Sequence, residues 1–110
     1  MGETAATPFA EAMNRLWEKH LPQIEERVAT LRRAAENLAN GALTDLEQKQ
    51  ASAEAHKLAG VLGTFGLKDG TELAREAEAL YDSSLDGNSA AASRLVAIAE
   101  QLQTMIANRT

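Results

Sequence analysis

Cysteine is absent from this 110-residue chain. That excludes disulfides, thiolate-ligated zinc, iron–sulfur clusters and thiol catalysis. Proline occurs twice and aromatic residues make up only 4%. Valine and isoleucine together number six, against 22 alanines and 14 leucines. Strands draw on β-branched and aromatic side chains, so this shortage argues against a sheet and for helices. Positive charge is also short: 11 Lys+Arg face 16 Asp+Glu, for a net charge of −5. The electrostatic footprint of a nucleic-acid binder is therefore missing. No apolar run approaches the roughly 20 residues of a membrane span, so no membrane insertion is expected. The start, Met1 to Pro8, does not follow the basic-then-apolar order of a signal peptide, which makes the cytoplasm the expected location. The length suits one domain, residues 1–110.

What is present reads as five helical segments at about 8–20, 22–40, 45–65, 69–84 and 89–108, with ends good to about 2–4 residues. Thr7-Pro8 places a capping residue before a proline at the first helical position. Pro22 is read as a second break, which leaves a short first helix. Ile24, Val28, Leu31, Ala35 and Leu38 then form one apolar stripe, closed by Asn40-Gly41. Thr44-x-x-Glu47 is a capping box for the third segment, which Gly66 stops. Leu73, Ala77, Leu80 and Tyr81 stripe the fourth, and an Asp86-Gly87 turn leads to a fifth carrying Leu95, Ile98, Ala99, Leu102 and Ile106. No period-two alternation lasts long enough for a strand. Short connections predict an all-α, antiparallel up-down-up-down four-helix bundle with a short additional N-terminal helix over one end. The bundle consumes the apolar stripes, so a monomer is expected.

The third segment carries the chemical information. At about 100° per residue from Leu46, its residues Ala51, Ala55, Leu58, Val61, Leu62 and Phe65 fall between roughly 60° and roughly 180°. His56 falls at about 280° on the same count. Ser52 falls at about 240°, Gly63 at about 260°, Lys49 at about 300° and Gly60 at about 320°. A histidine thus points away from the core, with glycines four and seven residues later on its own side. Each interior glycine costs a helix about 0.8–1 kcal/mol relative to alanine, and such a residue often marks close approach by another backbone or a ligand. Lys57 adjoins the histidine, and Lys49 precedes it by two turns. The pattern describes an exposed nucleophilic nitrogen, a bare patch beside it and cations able to pair with phosphate oxygens.

The stretch Ala55-His56-Lys57-Leu58-Ala59-Gly60, continued by Val61 to Phe65 and Gly66, resembles the signature of histidine-containing phosphotransfer (HPt) domains. The resemblance implies a helical bundle with one phosphorylatable histidine. It implies a phosphorelay role: His56 accepts a phosphoryl group at Nε2 from the aspartyl phosphate of a receiver domain and passes it to another receiver's aspartate. It also implies a carrier without kinase activity of its own. The implied partners are response-regulator receiver domains and a hybrid sensor histidine kinase. No cofactor is expected on this chain, because in such pairs Mg²⁺ belongs to the receiver. Neutral imidazole, with an ordinary pKa of about 6.5, is a competent nucleophile at cellular pH. Gly60 is expected to make room for the receiver. Lys57, Lys49 and Gly63 are assigned to phosphate contact or docking, and Ser52 to orienting the ring. One departure is plain: many members carry lysine three residues after the histidine, where this chain has Ala59. That departure motivates the alternative of an adaptor that docks receivers or another helical partner without transfer.

Other readings fail on chemistry. Gly60-x-x-Gly63-x-x-Gly66 does not have the order of a phosphate-binding loop and follows no strand. A di-iron bundle needs paired Glu-x-x-His motifs, but Ala53 and Trp17 stand three residues before His56 and His20. His20 is read as a surface histidine at a helix end, favoured by the helix dipole. Trp17, Phe9 and Tyr81 are read as core or rim. The acidic run Glu72, Glu76, Glu78 and Asp82 is read as a solvated face.

Overall fold

The computed structural model describes residues 7–86 and 88–109. Gly87 of the expected Asp86-Gly87 turn lies outside them. Four helices account for nearly all of the described chain: α1 (Pro8–Ala39), α2 (Asp45–Thr64), α3 (Lys68–Tyr81) and α4 (Ser89–Asn108). They form a four-helix bundle 58 × 21 × 18 Å in extent. Among the described residues there is no strand. Among the described residues no helix is long and apolar enough to cross a membrane.

The caps follow from the sequence. Thr7 accepts a hydrogen bond from the Ala10 amide at 3.0 Å, with proline next to it at the first helical position. The Thr44 hydroxyl accepts from the Glu47 amide while the Glu47 carboxylate accepts from the Thr44 amide, each at 3.1 Å. Gly41 and Gly66 take positive φ angles of 70° and 75° just past the ends of α1 and α2. There the amides of Ala42 and Leu67 reach back to the carbonyls of Asn37 and Leu62. That closure needs a left-handed residue, which glycine supplies without Cβ strain.

The break expected at Pro22 does not occur. Residues 8–39 are one helix of 32 residues with Pro22 inside it. Proline there forfeits one backbone hydrogen bond and costs about 3 kcal/mol. Trp17 on one side of it and Ile24, Val28, Leu31 and Ala35 on the other are all buried in the same core. Burying a large apolar side chain stabilises by about 1.5–3 kcal/mol, so keeping this stripe continuous outweighs the proline. Segment 8–20 is consequently not a separate helix, and His20 sits inside α1 instead of at a helix end. Phe9, expected in the core or rim, is 75% exposed on the first turn.

α2 packs chiefly on α3, and α1 chiefly on α4. Asn37 and Arg27 of α1 reach Glu47 and Glu54 of α2 at 3.0 and 2.9 Å. Arg94 of α4 holds Glu76 of α3 through two hydrogen bonds of 2.6 and 2.7 Å, which keeps that carboxyl below its ordinary range. α3 stops at Tyr81, short of the expected 84. The Gln48 side chain there donates to the carbonyls of Tyr81 and Ser83, satisfying groups that another helical turn would have used. Gly70 is buried where α3 meets its neighbours: a Cβ there would lie 3.0 Å from both Leu62 Cδ1 and Met105 Sδ. Trp17 packs edge-on against Phe65 and under the Arg109 guanidinium.

Tyr81 ties this core to α1. Its hydroxyl, buried, donates to the Leu31 carbonyl at 2.9 Å. Burial pushes the phenol above its ordinary pKa of 10.0. A raised folded-state pKa means the full contribution below about pH 10 and a loss as pH rises above it. Tyr81→Phe is expected to cost about 0.5–1.5 kcal/mol in denaturant unfolding near neutral pH. Its deficit relative to the parent should shrink above about pH 10, where the parent's phenol resists ionisation inside the fold.

Candidate functional site

The site is built on α2, whose inner face is fixed by Ala51, Ala55, Leu58 and Leu62, all fully buried. The helical repeat then leaves His56 on the outer face, where its side chain is 75% exposed. Three contacts with α3 set the register beneath it. Ser52 Oγ donates to Asp82 Oδ1 at 2.5 Å. His56 Nδ1 lies 3.0 Å from Glu78 Oε2. The buried Thr71 hydroxyl donates to the Ala59 carbonyl at 3.1 Å.

The middle contact decides the chemistry of the ring. An ionised carboxylate only accepts hydrogen bonds, so the contact is a hydrogen bond when the proton resides on Nδ1. In the neutral ring the lone pair then lies on Nε2, the nitrogen that faces away from its partner. A carboxylate in this place favours the tautomer protonated at Nδ1 and one orientation of the ring. Nothing else need remove a proton before Nε2 attacks an electrophile.

Of the expected site residues, Gly60 behaves as anticipated in space: it is exposed, and a Cβ built on it would meet nothing within 4 Å. Gly63 does not belong to that open patch. A Cβ there would lie 3.3 Å from Thr71 Oγ1, so this glycine lets α3 approach α2. Ser52 does not orient the ring, because its hydroxyl is committed to Asp82 one turn away. Lys57 points elsewhere: it pairs with Glu54 at 3.5 Å and, with Thr30, Arg33, Gln50 and Ala53, lines a groove between α1 and α2. Its angular position, about 100° round the helix from His56, is the reason. Lys49 is exposed on the His56 side, roughly 10 Å earlier along α2.

The acidic run of α3 is not an idle solvated face. Glu76 holds Arg94, Glu78 meets His56, and Asp82 accepts from Ser52. The signal was available in the spacing Thr71, Arg75, Glu78, Asp82, a polar row at steps of four, three and four beside the apolar stripe.

The His56 ring stands exposed on the outer face of the bundle. A concavity of about 720 Å³ runs along α4 beside Leu67, Met105 and Arg109 and contains none of these residues. Among the described residues no group of three or more His, Asp or Glu side chains could hold a metal ion. An exposed nitrogen beside open space at Gly60 fits another protein's surface better than a small molecule, which binds in enclosed pockets.

Comparison with known proteins agrees with this geometry. A family model described as Hpt domain matches residues 15–109. Protein RcaC of Microchaete diplosiphon is 38% identical over 66 residues, covering 60% of this chain and 10% of that protein. The chain therefore spans about a tenth of the length of that curated relative. No solved structure matches. With helices α1 to α4 almost wholly inside the matched region, and one exposed histidine presented from a bundle helix, the chain belongs to the Hpt domain family, the histidine phosphotransfer modules of two-component signalling.

Proposed function

We propose that His56 is the residue that carries the phosphoryl group, taking it from the aspartyl phosphate of one receiver domain and handing it to the aspartate of another. The observation that carries this reading is the exposed ring with Nδ1 on Glu78 and bare backbone at Gly60 next to it. On this reading the bundle is antiparallel, up-down-up-down, in keeping with the crossed pairings of residues 37 with 47 and 27 with 54, and of 52 with 82 and 56 with 78. The chain works as one module and as a carrier, with Mg²⁺ and most of the transition-state stabilisation on the receiver.

The step is a phosphoryl displacement. Nε2 donates its lone pair to phosphorus while the bond from phosphorus to the aspartyl oxygen breaks and its electrons return to the carboxylate. The ring gains positive charge and keeps its Nδ1 proton. Glu78, fixed 3.0 Å from that nitrogen, balances the charge. In the reverse direction the same proton lets the ring leave as neutral imidazole, a far better leaving group than its anion. Gly60 leaves the flank of the ring open, at a cost of about 0.8–1 kcal/mol of helix stability relative to alanine.

Incubated with a phosphorylated receiver, the parent should gain base-stable, acid-labile phosphate and His56→Gln should gain none; equal labelling of the two would end this reading. An unlabelled parent that still binds the receiver would favour a docking adaptor. Gly60→Ala should raise stability by about 0.5–1 kcal/mol, since its Cβ meets nothing. Gly60→Arg should fold yet fail to accept label, because the added side chain stands where the receiver approaches. Glu78→Ala should keep the fold and slow labelling about two- to five-fold, the scale of one exposed charged contact.

A further inference from the structure

We propose that Arg75 of α3 is the cation that grips the phosphoryl oxygens on His56, an anion-binding contact supplied from across the helix interface. This role rests on the reading of His56 as the phosphoryl acceptor and adds a second chemical group to that site.

The register between α2 and α3 places Arg75 there. Asp82 meets Ser52, Glu78 meets His56, and Thr71 meets the Ala59 carbonyl. Moving back along α3 thus moves forward along α2. Arg75 stands three residues before Glu78 and four after Thr71, so it shares their row. It therefore lies beside the stretch of α2 that runs from His56 to Gly60. With Thr71 at zero and about 100° per residue, Glu78 falls at about −20°, Asp82 at about 20° and Arg75 at about 40°. Ala74, Ala77 and Tyr81 fall between roughly −60° and roughly −120° on that count. Arg75 is on the solvent edge of the strip that touches α2, about 4.5 Å along the axis from Glu78.

Arg75 is also uncommitted. Arg27, Arg32, Arg33, Arg94 and Arg109 all donate hydrogen bonds to other side chains. Arg75 is exposed and takes part in no hydrogen bond or ion pair among the described residues. α2 itself offers no cation one turn beyond the histidine: Ala59 is buried and Gly60 is bare. Lys57 is turned toward Glu54 and Lys49 lies two turns the other way. Exposed and unpaired, the Arg75 side chain can turn toward the ring without breaking a contact of its own.

The chemistry suits arginine. A phosphoryl group on Nε2 carries its negative charge on three oxygens, and a planar guanidinium binds two of them at once. During transfer those oxygens keep the charge while the bond to the aspartyl oxygen breaks and the bond to Nε2 forms. Glu78 answers the ring's positive charge, and Arg75 answers the negative charge of the group it holds. The two side chains lie one turn apart on one helix and face opposite ends of the same intermediate.

The test uses the full chain and a phosphorylated receiver domain, with Arg75→Ala, Arg75→Lys, Lys57→Ala and the parent compared at saturating receiver. Arg75→Ala should leave the melting temperature unchanged. It should lower the maximal transfer rate about ten-fold, the rate equivalent of one charge-assisted hydrogen bond, and Arg75→Lys should recover part of the loss. Lys57→Ala should transfer at the parent's rate. As a second readout, labelling His56 chemically with phosphoramidate should shift the Arg75 Nε–Hε signal in the ¹H–¹⁵N spectrum. A parent that accepts phosphate while Arg75→Ala transfers equally fast overturns this inference and leaves the role of His56 standing. So does a variant that only raises the receiver concentration needed for half-maximal rate, which would make Arg75 a docking residue. A parent that accepts no phosphate at all defeats the role of His56 first.

Discussion

The packing of α2 against α3 in a single register is the constraint on which the chemistry of this chain depends. Three polar contacts define it, one each at the levels of Ser52, His56 and Ala59. Slide either helix by one residue and Glu78 no longer faces the imidazole. The register is itself held by close fits: Gly63 admits the Thr71 side chain, and Gly70 admits Leu62 and Met105. Two glycines that cost helix propensity thus position a third group that neither of them touches.

Rigidity and exposure usually compete, and here they are divided between faces of one helix. The inner face of α2 is buried aliphatic packing that allows no rotation about the helix axis. The outer face presents a ring that is three-quarters exposed yet oriented by a carboxylate from the neighbouring helix. Exposure weakens that contact in energy, since charges in water are well screened. The contact still biases the proton toward Nδ1, which leaves Nε2 as the nucleophilic nitrogen.

Much of this was legible in the residues, and the rest shows what periodicity does not report. The outward position of His56 and the open flank at Gly60 follow from counting at about 100° per residue, because a helix with so clear an apolar stripe has one orientation available. The capping residues Thr7 and Thr44 were equally plain, since capping is local chemistry. The unbroken α1 was not. Local rules say that Pro22 ends a helix, and only the shared burial of Trp17 and Ile24 in the core says otherwise. Glu78 and Asp82 were read as solvated for a related reason. Their partners lie 22 and 30 residues away on another helix, and that distance vanishes only once the register is known. Lys57 illustrates the converse: adjacency in sequence placed it about 100° away in space, paired with Glu54.

The most direct measurement of the central claim is a long-range ¹H–¹⁵N spectrum of the His56 imidazole, taken before and after phosphorylation. The expected result is a ring protonated at Nδ1 with an unprotonated Nε2 at neutral pH, and phosphorus coupling to Nε2 once the group is attached. A ring protonated at Nε2 in the free protein, or phosphorus bound at any other site, would contradict it.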